Sequence, residues 1–147
     1  LPVDGRPAID DTEVQIWYSP KALYIGLIAS EIHNEVRSTL ADRDKLENDD
    51  YLILILDTYD DKRSAFAFVV NPLGQQGDGT ITDNTSTGRN SKSFRLDDNP
   101  DYVFKSRGRV TKDGFIVEIE IPFKSLRYQS AKTQNWGFNV LRYVQWC

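Results

Sequence analysis

Glu118 and Glu120 stand two residues apart in the stretch GFIVEIEIP, so an extended backbone carries both carboxylates on one face of a strand. A glycosidase needs two carboxylates about 5–9 Å apart across the scissile bond, and this spacing falls in that range. The preceding stretch, however, offers Arg107 and Arg109 on the same face. Opposite charges facing each other across a sheet are an ordinary stabilising device. The pair is therefore read as a solvated charged face, and the chain as non-catalytic.

A second group of acids falls at expected strand ends and turns. Asp50, Asp57, Asp60, Asp61 and Asp78, together with Asp49 and Asn71, offer the hard oxygens that calcium takes from flexible loops. The DTYDD run puts three carboxylates on one turn, and the GQQGDG segment can add backbone oxygens. No EF-hand spacing is present. The five aspartates are candidates for a structural calcium, against the plainer role of aspartate in closing turns.

Trp17, Trp136 and Trp146 are candidates for sugar stacking, because a flat apolar ring suits the C–H face of a pyranose. Trp17 shares the more polar side of its strand with Glu13 and Gln15, which favours exposure; Trp136 and Trp146 lie at strand ends, where packing is the commoner role. His33 is the single histidine and Cys147 the single cysteine. That leaves no disulfide framework and no cysteine-based zinc site, and any Ser-His-Asp mechanism would have to centre on His33. The four glycines between residues 72 and 101 lack the strand–GxGxxG–helix context of a phosphate loop.

The elements that must position these residues read as strands. Asp113-Gly114 lies between two runs of β-forming residues, a strong hairpin signal. After it, Phe115, Val117, Ile119 and Ile121 alternate with Ile116, Glu118 and Glu120, and Pro122 ends the strand. Residues 123–128 read as a helical turn that tucks Phe123 and Leu126 under the sheet. Upstream, residues 12–18 and 22–32 form an expected hairpin, the second strand apolar on both faces and so central. Residues 50–58 (DYLILILDT) read as a strand buried on both faces, with 65–71 as its partner.

Residues 33–49 are charged and read as a loop with a helical turn near 36–41. Arg43 and Asp44 in this loop are candidate ligand contacts. Residues 73–101 are rich in Gly, Asn, Ser, Thr and Asp and read as a long functional or irregular loop, with one short strand near 79–83. Strands are expected again over 102–110 and 136–146. Seven to nine short strands with frequent turns and no long helix predict an all-β fold, an antiparallel β-sandwich of jelly-roll-like type with one or two short helical turns.

At 147 residues the chain is expected to be one domain, with enough apolar and aromatic side chains for a core. A formal net charge of −4, from 22 acidic and 18 basic residues, gives no reason to expect nucleic acid. No window approaches the ~18 apolar residues of a membrane-spanning helix, and no signal peptide is recognisable. With no methionine, even at position 1, the chain is expected to be an excised or processed segment.

Taken in order, DDYLILILDTYDDKRSAFAFVVNPLGQQGD, TKDGFIVEIEIPFKSLRY and WGFNVLRYV resemble the family 9 carbohydrate-binding-module-like domain. The version most similar is the one found at the N-terminus of a large bacterial family, ahead of an outer-membrane β-barrel. The lead-in PVDGRPA and the later TEV and ALYIG fit the same version, so the resemblance covers nearly the whole chain. It implies a β-sandwich with structural calcium, a polysaccharide or oligosaccharide as ligand, and a place in the periplasm or at the cell surface. It also implies a β-barrel as the C-terminal partner in the full-length protein. In the well-studied modules two tryptophans grip the sugar. One of those positions is Glu47 here, and the other lies beyond residue 147. Val69 stands where an arginine is expected, and the opening strand is expected to be missing. An interaction domain attached to the barrel, without sugar binding, is the alternative function.

Overall fold

The computed structural model describes residues 7–32, 35–38, 49–83, 92–96 and 103–144, with backbone alone for Asp83 and 92–96. The described residues form strands β1 (Thr12–Tyr18), β2 (Ala22–Ser30), β3 (Tyr51–Asp57), β4 (Ser64–Val70), β5 (Gln76–Asp83), β6 (Lys92–Leu96), β7 (Lys105–Thr111), β8 (Gly114–Pro122) and β9 (Gly137–Tyr143). They form two antiparallel sheets. Sheet A has the order β1-β2-β8-β7, and sheet B the order β6-β5-β4-β3-β9. The all-β sandwich expected from the sequence is the fold.

The core lies between the sheets. From sheet A, β2 turns Leu23, Ile25, Leu27 and Ala29 inward and β8 turns Phe115, Val117, Ile119 and Ile121 inward; β3 answers with Leu52, Leu54 and Leu56, and β4 with Phe68 and Val70. β2 is central, between β1 and β8, as its apolar character on both faces requires. β3 is also buried on both faces: Ile53 joins Ala67 and Val69 in a second cluster on the outer side of sheet B. The strand-terminating Pro122 leads into a 3₁₀ turn at Phe123–Ser125. Leu126 follows and is buried in the core, with Phe123 packed against it.

Two corrections concern the polar segments. The expected long loop contains two strands, β5 and β6, where only a short strand near 79–83 was expected. β5 reads QGDGTITD, with no apolar stripe to mark it, and is held by its backbone ladder to β4 from Ser64↔Thr82 to Val70↔Gln76. The helical turn after Pro122 is shorter than the expected 123–128. Of the turn expected near 36–41, residues 35–38 are irregular and the rest lie outside the described residues.

Glycine permits two close approaches. A Cβ on Gly114, at φ +153°, would lie 1.9 Å from the Ala29 carbonyl oxygen of β2, so the Asp113-Gly114 turn can pack on β2 only with glycine. Across the sandwich, a Cβ on Gly108 of β7 would meet the Pro72 carbonyl oxygen at 2.4 Å and the Gly74 nitrogen at 2.5 Å. That contact seats the 71–75 turn of sheet B against β7 of sheet A. Ser106 strengthens it by donating from Oγ to the Gly74 carbonyl, and Gln76 Nε2 donates to the Phe104 carbonyl and to Ser106 Oγ, both at 2.9 Å.

Candidate functional site

The outer face of sheet A carries the residues with the most chemistry to offer. The antiparallel register sets them in rows across the four strands. One row runs Trp17, Tyr24, Glu120, Lys105; the next runs Gln15, Gly26, Glu118, Arg107. Trp17 and Tyr24 are near-parallel, with ring centroids 5.7 Å apart and planes inclined by 8°. Trp17 is 48% exposed although it sits in a paired strand.

Gly26 lies beside the indole. It lies in the middle of the central strand, where glycine costs roughly 0.5–1 kcal/mol relative to alanine. The six-membered edge of Trp17 comes within 3.8 Å of the place a Gly26 Cβ would occupy. The ring therefore lies over the strand backbone at Gly26, at a distance where a methyl group would make an ordinary van der Waals contact and a larger side chain would meet the ring.

Beside these rings Lys105, Arg107, Glu118 and Glu120 wall a shallow cavity of about 380 Å³. Lys105 and Glu120 are 3.7 Å apart, with side chains 81% and 33% exposed. A pair this open contributes about 0–1 kcal/mol. Both groups can turn to a ligand's hydroxyls at little cost in stability.

The structure refines the charge pairing expected of this face. Glu118 faces Arg107, as anticipated, but Glu120 faces Lys105, and Arg109 faces Ile116. The two-residue turn Lys112-Asp113, closed by Thr111↔Gly114, sets that register. The face expected to be merely solvated thus forms two walls of the cavity beside Trp17. Tyr24, Gly26 and Lys105 were not anticipated there. Their only sequence signal is the glycine in the apolar run ALYIGLIAS, because the strands that bring them together are far apart in the chain.

Trp136 is placed differently. It is half-buried against the core, edge-on to Phe123 at 6.0 Å and tilted against Tyr128 at 5.7 Å, and its Nε1 donates to Gln134 Oε1. Trp17 and Trp136 therefore do not form one platform. Arg43, Asp44, His33, Glu47, Trp146 and Cys147 lie outside the described residues.

The aspartates considered for calcium separate into groups. Asp50 precedes β3 and Asp57 ends it; at about 3.3 Å per residue these two are roughly 20 Å apart or more. Asp50 Oδ2 accepts from the Arg37 backbone N–H at 3.0 Å. Next to it, Asn71 Nδ2 donates to Asp49 Oδ2, while Asn71 Oδ1 accepts from the N–H groups of Leu73 and Gln75. Asp57 accepts from the backbone N–H of Tyr59 (3.3 Å) and of Lys62 (2.9 Å), and Asp61 from that of Arg63. Asp60 adopts a left-handed backbone in the same turn. Asp78 is fully buried on β5, in register with Phe68. The five do not fit one shared ion, and among the described residues no three acidic, histidine or cysteine side chains are grouped to hold a metal. The described contacts of Asp57 and Asp61 are those of turn closure, whereas Asp50 ties the start of β3 to Arg37.

Comparison with family models, with curated proteins and with solved structures finds no match. Among the described residues no helix is long and apolar enough to cross a membrane.

Proposed function

We propose that this domain is a non-catalytic carbohydrate-binding-like module of an exported bacterial protein, with the outer face of sheet A as its sugar platform. The observation that carries this reading is the half-exposed Trp17, set beside Tyr24 over Gly26 and flanked by two carboxylates and two cations. An exposed ring face offers the apolar contact a pyranose needs. Glu118 and Glu120 accept from sugar hydroxyls, and Lys105 and Arg107 donate to them. A few polar groups around an apolar platform is the usual composition of a small-ligand site. The Glu118–Arg107 and Glu120–Lys105 pairing supports a binding role over a hydrolytic one, because both carboxylates face cations.

The sequence resemblance supports the compartment, the periplasm or cell surface ahead of an outer-membrane β-barrel. A second reading, an interaction domain beside that barrel, is favoured by a specific feature. Ile16 and Tyr18 on the edge strand β1 are 49% and 79% exposed, an apolar edge suited to another protein. Affinity electrophoresis through gels of plant, algal and bacterial polysaccharides, with Trp17→Ala beside the wild type, separates the two. Retardation abolished by Trp17→Ala supports the sugar platform. Co-purification with the barrel and indifference to every polysaccharide supports the second reading.

A further inference from the structure

The edges of the two sheets are guarded unequally. A free sheet edge is a template for another strand, and proteins blunt it with charge, proline, bulges or a covering loop. On the edge strand β7, Lys105, Arg107 and Arg109 alternate, and the 71–75 turn presses on Gly108. The edge strand β6 carries Lys92 and Arg95. On the edge strand β9 the Val140 N–H donates to Oδ1 of the adjoining Asn139 at 2.8 Å. The remaining edge strand, β1, has none of these devices. Its sequence TEVQIWY holds no lysine, arginine, proline or glycine, and it pairs with β2 without a bulge from Thr12↔Ala29 to Tyr18↔Leu23.

The ladder decides which backbone groups of β1 face outward, because hydrogen-bonded and non-hydrogen-bonded pairs alternate along an antiparallel pair. At one end of this ladder the Ser30 N–H donates to the Asp11 carbonyl; at the other the Ser19 N–H donates to the Ala22 carbonyl. The odd-numbered residues of β1 are therefore the ones bonded to β2. Thr12, Val14, Ile16 and Tyr18 turn their N–H and C=O groups away from it, and among the described residues no strand lies beyond β1. The side chains of these four share the core side of sheet A with Val14, which packs against the core. Ile16 and Tyr18 nevertheless remain 49% and 79% exposed.

We propose that β1 pairs antiparallel with β1 of a second copy of this chain, about a twofold axis at Gln15, so that their A sheets become continuous. The strand is complementary to itself in this register, with all of Thr12–Tyr18 overlapping. Ile16 faces the partner's Val14 and Tyr18 faces the partner's Thr12. Every residue with outward backbone groups thus meets another such residue, and the exposed Ile16 gains an apolar neighbour. Glu13, the one charge in β1, faces the partner's Trp17 and not a second carboxylate. The pairing leaves the outer face of sheet A open, so it stands whether or not the platform there binds sugar.

The test is sedimentation velocity of the whole chain at rising concentration, where a reversible monomer–dimer equilibrium is expected. Ile16→Pro removes an outward N–H and none of the bonds to β2, the one place a strand tolerates proline. It should weaken the dimer at least tenfold, whereas Val110→Lys, at a half-exposed position on the opposite edge β7, should not. Cross-linking tests the register, with Cys147→Ser as background. Gln15→Cys sets two thiols across the axis in a non-hydrogen-bonded pair, where Cα atoms are about 4.5 Å apart, within disulfide range. Mild oxidation should link this variant, but not Glu13→Cys, which faces the partner's Trp17. The proposal is overturned if the chain sediments as a monomer throughout, if Ile16→Pro dimerises as the wild type does, or if Glu13→Cys links as readily as Gln15→Cys. It is equally overturned if the chain stays monomeric and pairs only with a different protein. Should Ile16→Pro fail to fold, Ile16→Lys, which charges the same edge, and the cross-linking comparison still decide.

Discussion

The guanidinium of Arg142, on β9 of sheet B, stands 2.8 Å from the carboxylate of Glu31, just past the end of β2 in sheet A. Its Nη2 also donates to the Ser30 carbonyl at 2.7 Å, its Nη1 to Thr12 Oγ1 at 3.2 Å, and its Cζ lies 5.6 Å from the centre of the Phe115 ring. One side chain thus ties the edge strand of one sheet to β1, β2 and β8 of the other. Both partners are largely buried, so neither is easily rehydrated if the other is lost. Removing one member of a buried ion pair costs about 3–5 kcal/mol, whereas replacing both with apolar groups can be neutral.

Arg142→Ala should therefore destabilise the fold by about 3–5 kcal/mol in denaturant unfolding. Arg142→Met combined with Glu31→Leu should recover most of that loss. A single-variant loss under about 1 kcal/mol, the value of an exposed pair, would remove the bridge from the account.

Gly114→Ala must push a methyl group into the Ala29 carbonyl oxygen, 1.9 Å from where the Cβ would fall. The hairpin and β2 have to separate, which costs more than the ~1 kcal/mol of an ordinary glycine replacement. Thermal unfolding of this variant should show a clear drop. By contrast Gly26→Ala, whose new Cβ meets only ordinary contacts near 3.8 Å, should stay close to wild type.

Asp57 holds the β3–β4 turn through two backbone N–H groups. Asp57→Ala should cost about 1–3 kcal/mol, the range for losing hydrogen bonds to a charged acceptor. The difference from wild type should be the same in chelator and in added calcium. If calcium raises the wild-type melting temperature and Asp57→Ala abolishes the rise, the turn holds an ion and its closure is only part of its role.

Much of the architecture was legible in the chain because alternation reports burial directly. β8 is the clearest case: Phe115, Val117, Ile119 and Ile121 face the core as their spacing demands. β5 was legible only as a shorter strand and β6 was not legible, since polar and glycine-rich strands carry no apolar stripe and depend on their neighbours' ladders. The candidate site was half legible. Trp17 could be placed on the polar side of β1 by counting residues. Its setting could not, because Tyr24, Gly26, Glu118 and Arg107 meet only through the β2–β8 and β7–β8 registers. Asp50 and Asp57 look adjacent as acids bounding one apolar run, yet the run between them is an extended strand, which separates its ends.

The platform on sheet A also makes a prediction about space. Gly26→Leu should displace the Trp17 ring from its seat while leaving the inward face of β2 untouched. Sugar retention should fall at least tenfold with little change in unfolding. Full retention in Gly26→Leu would mean that the indole is not the contact.

The central claim rests most directly on Trp17, compared between wild type and Trp17→Ala by affinity electrophoresis over plant, algal and bacterial polysaccharides. The account predicts that at least one polysaccharide retards the wild-type chain, and that Trp17→Ala, folded to the same melting temperature within a few degrees, loses at least tenfold in affinity for it. Silence of the wild type across all three classes, or equal retardation of the two proteins, would contradict it.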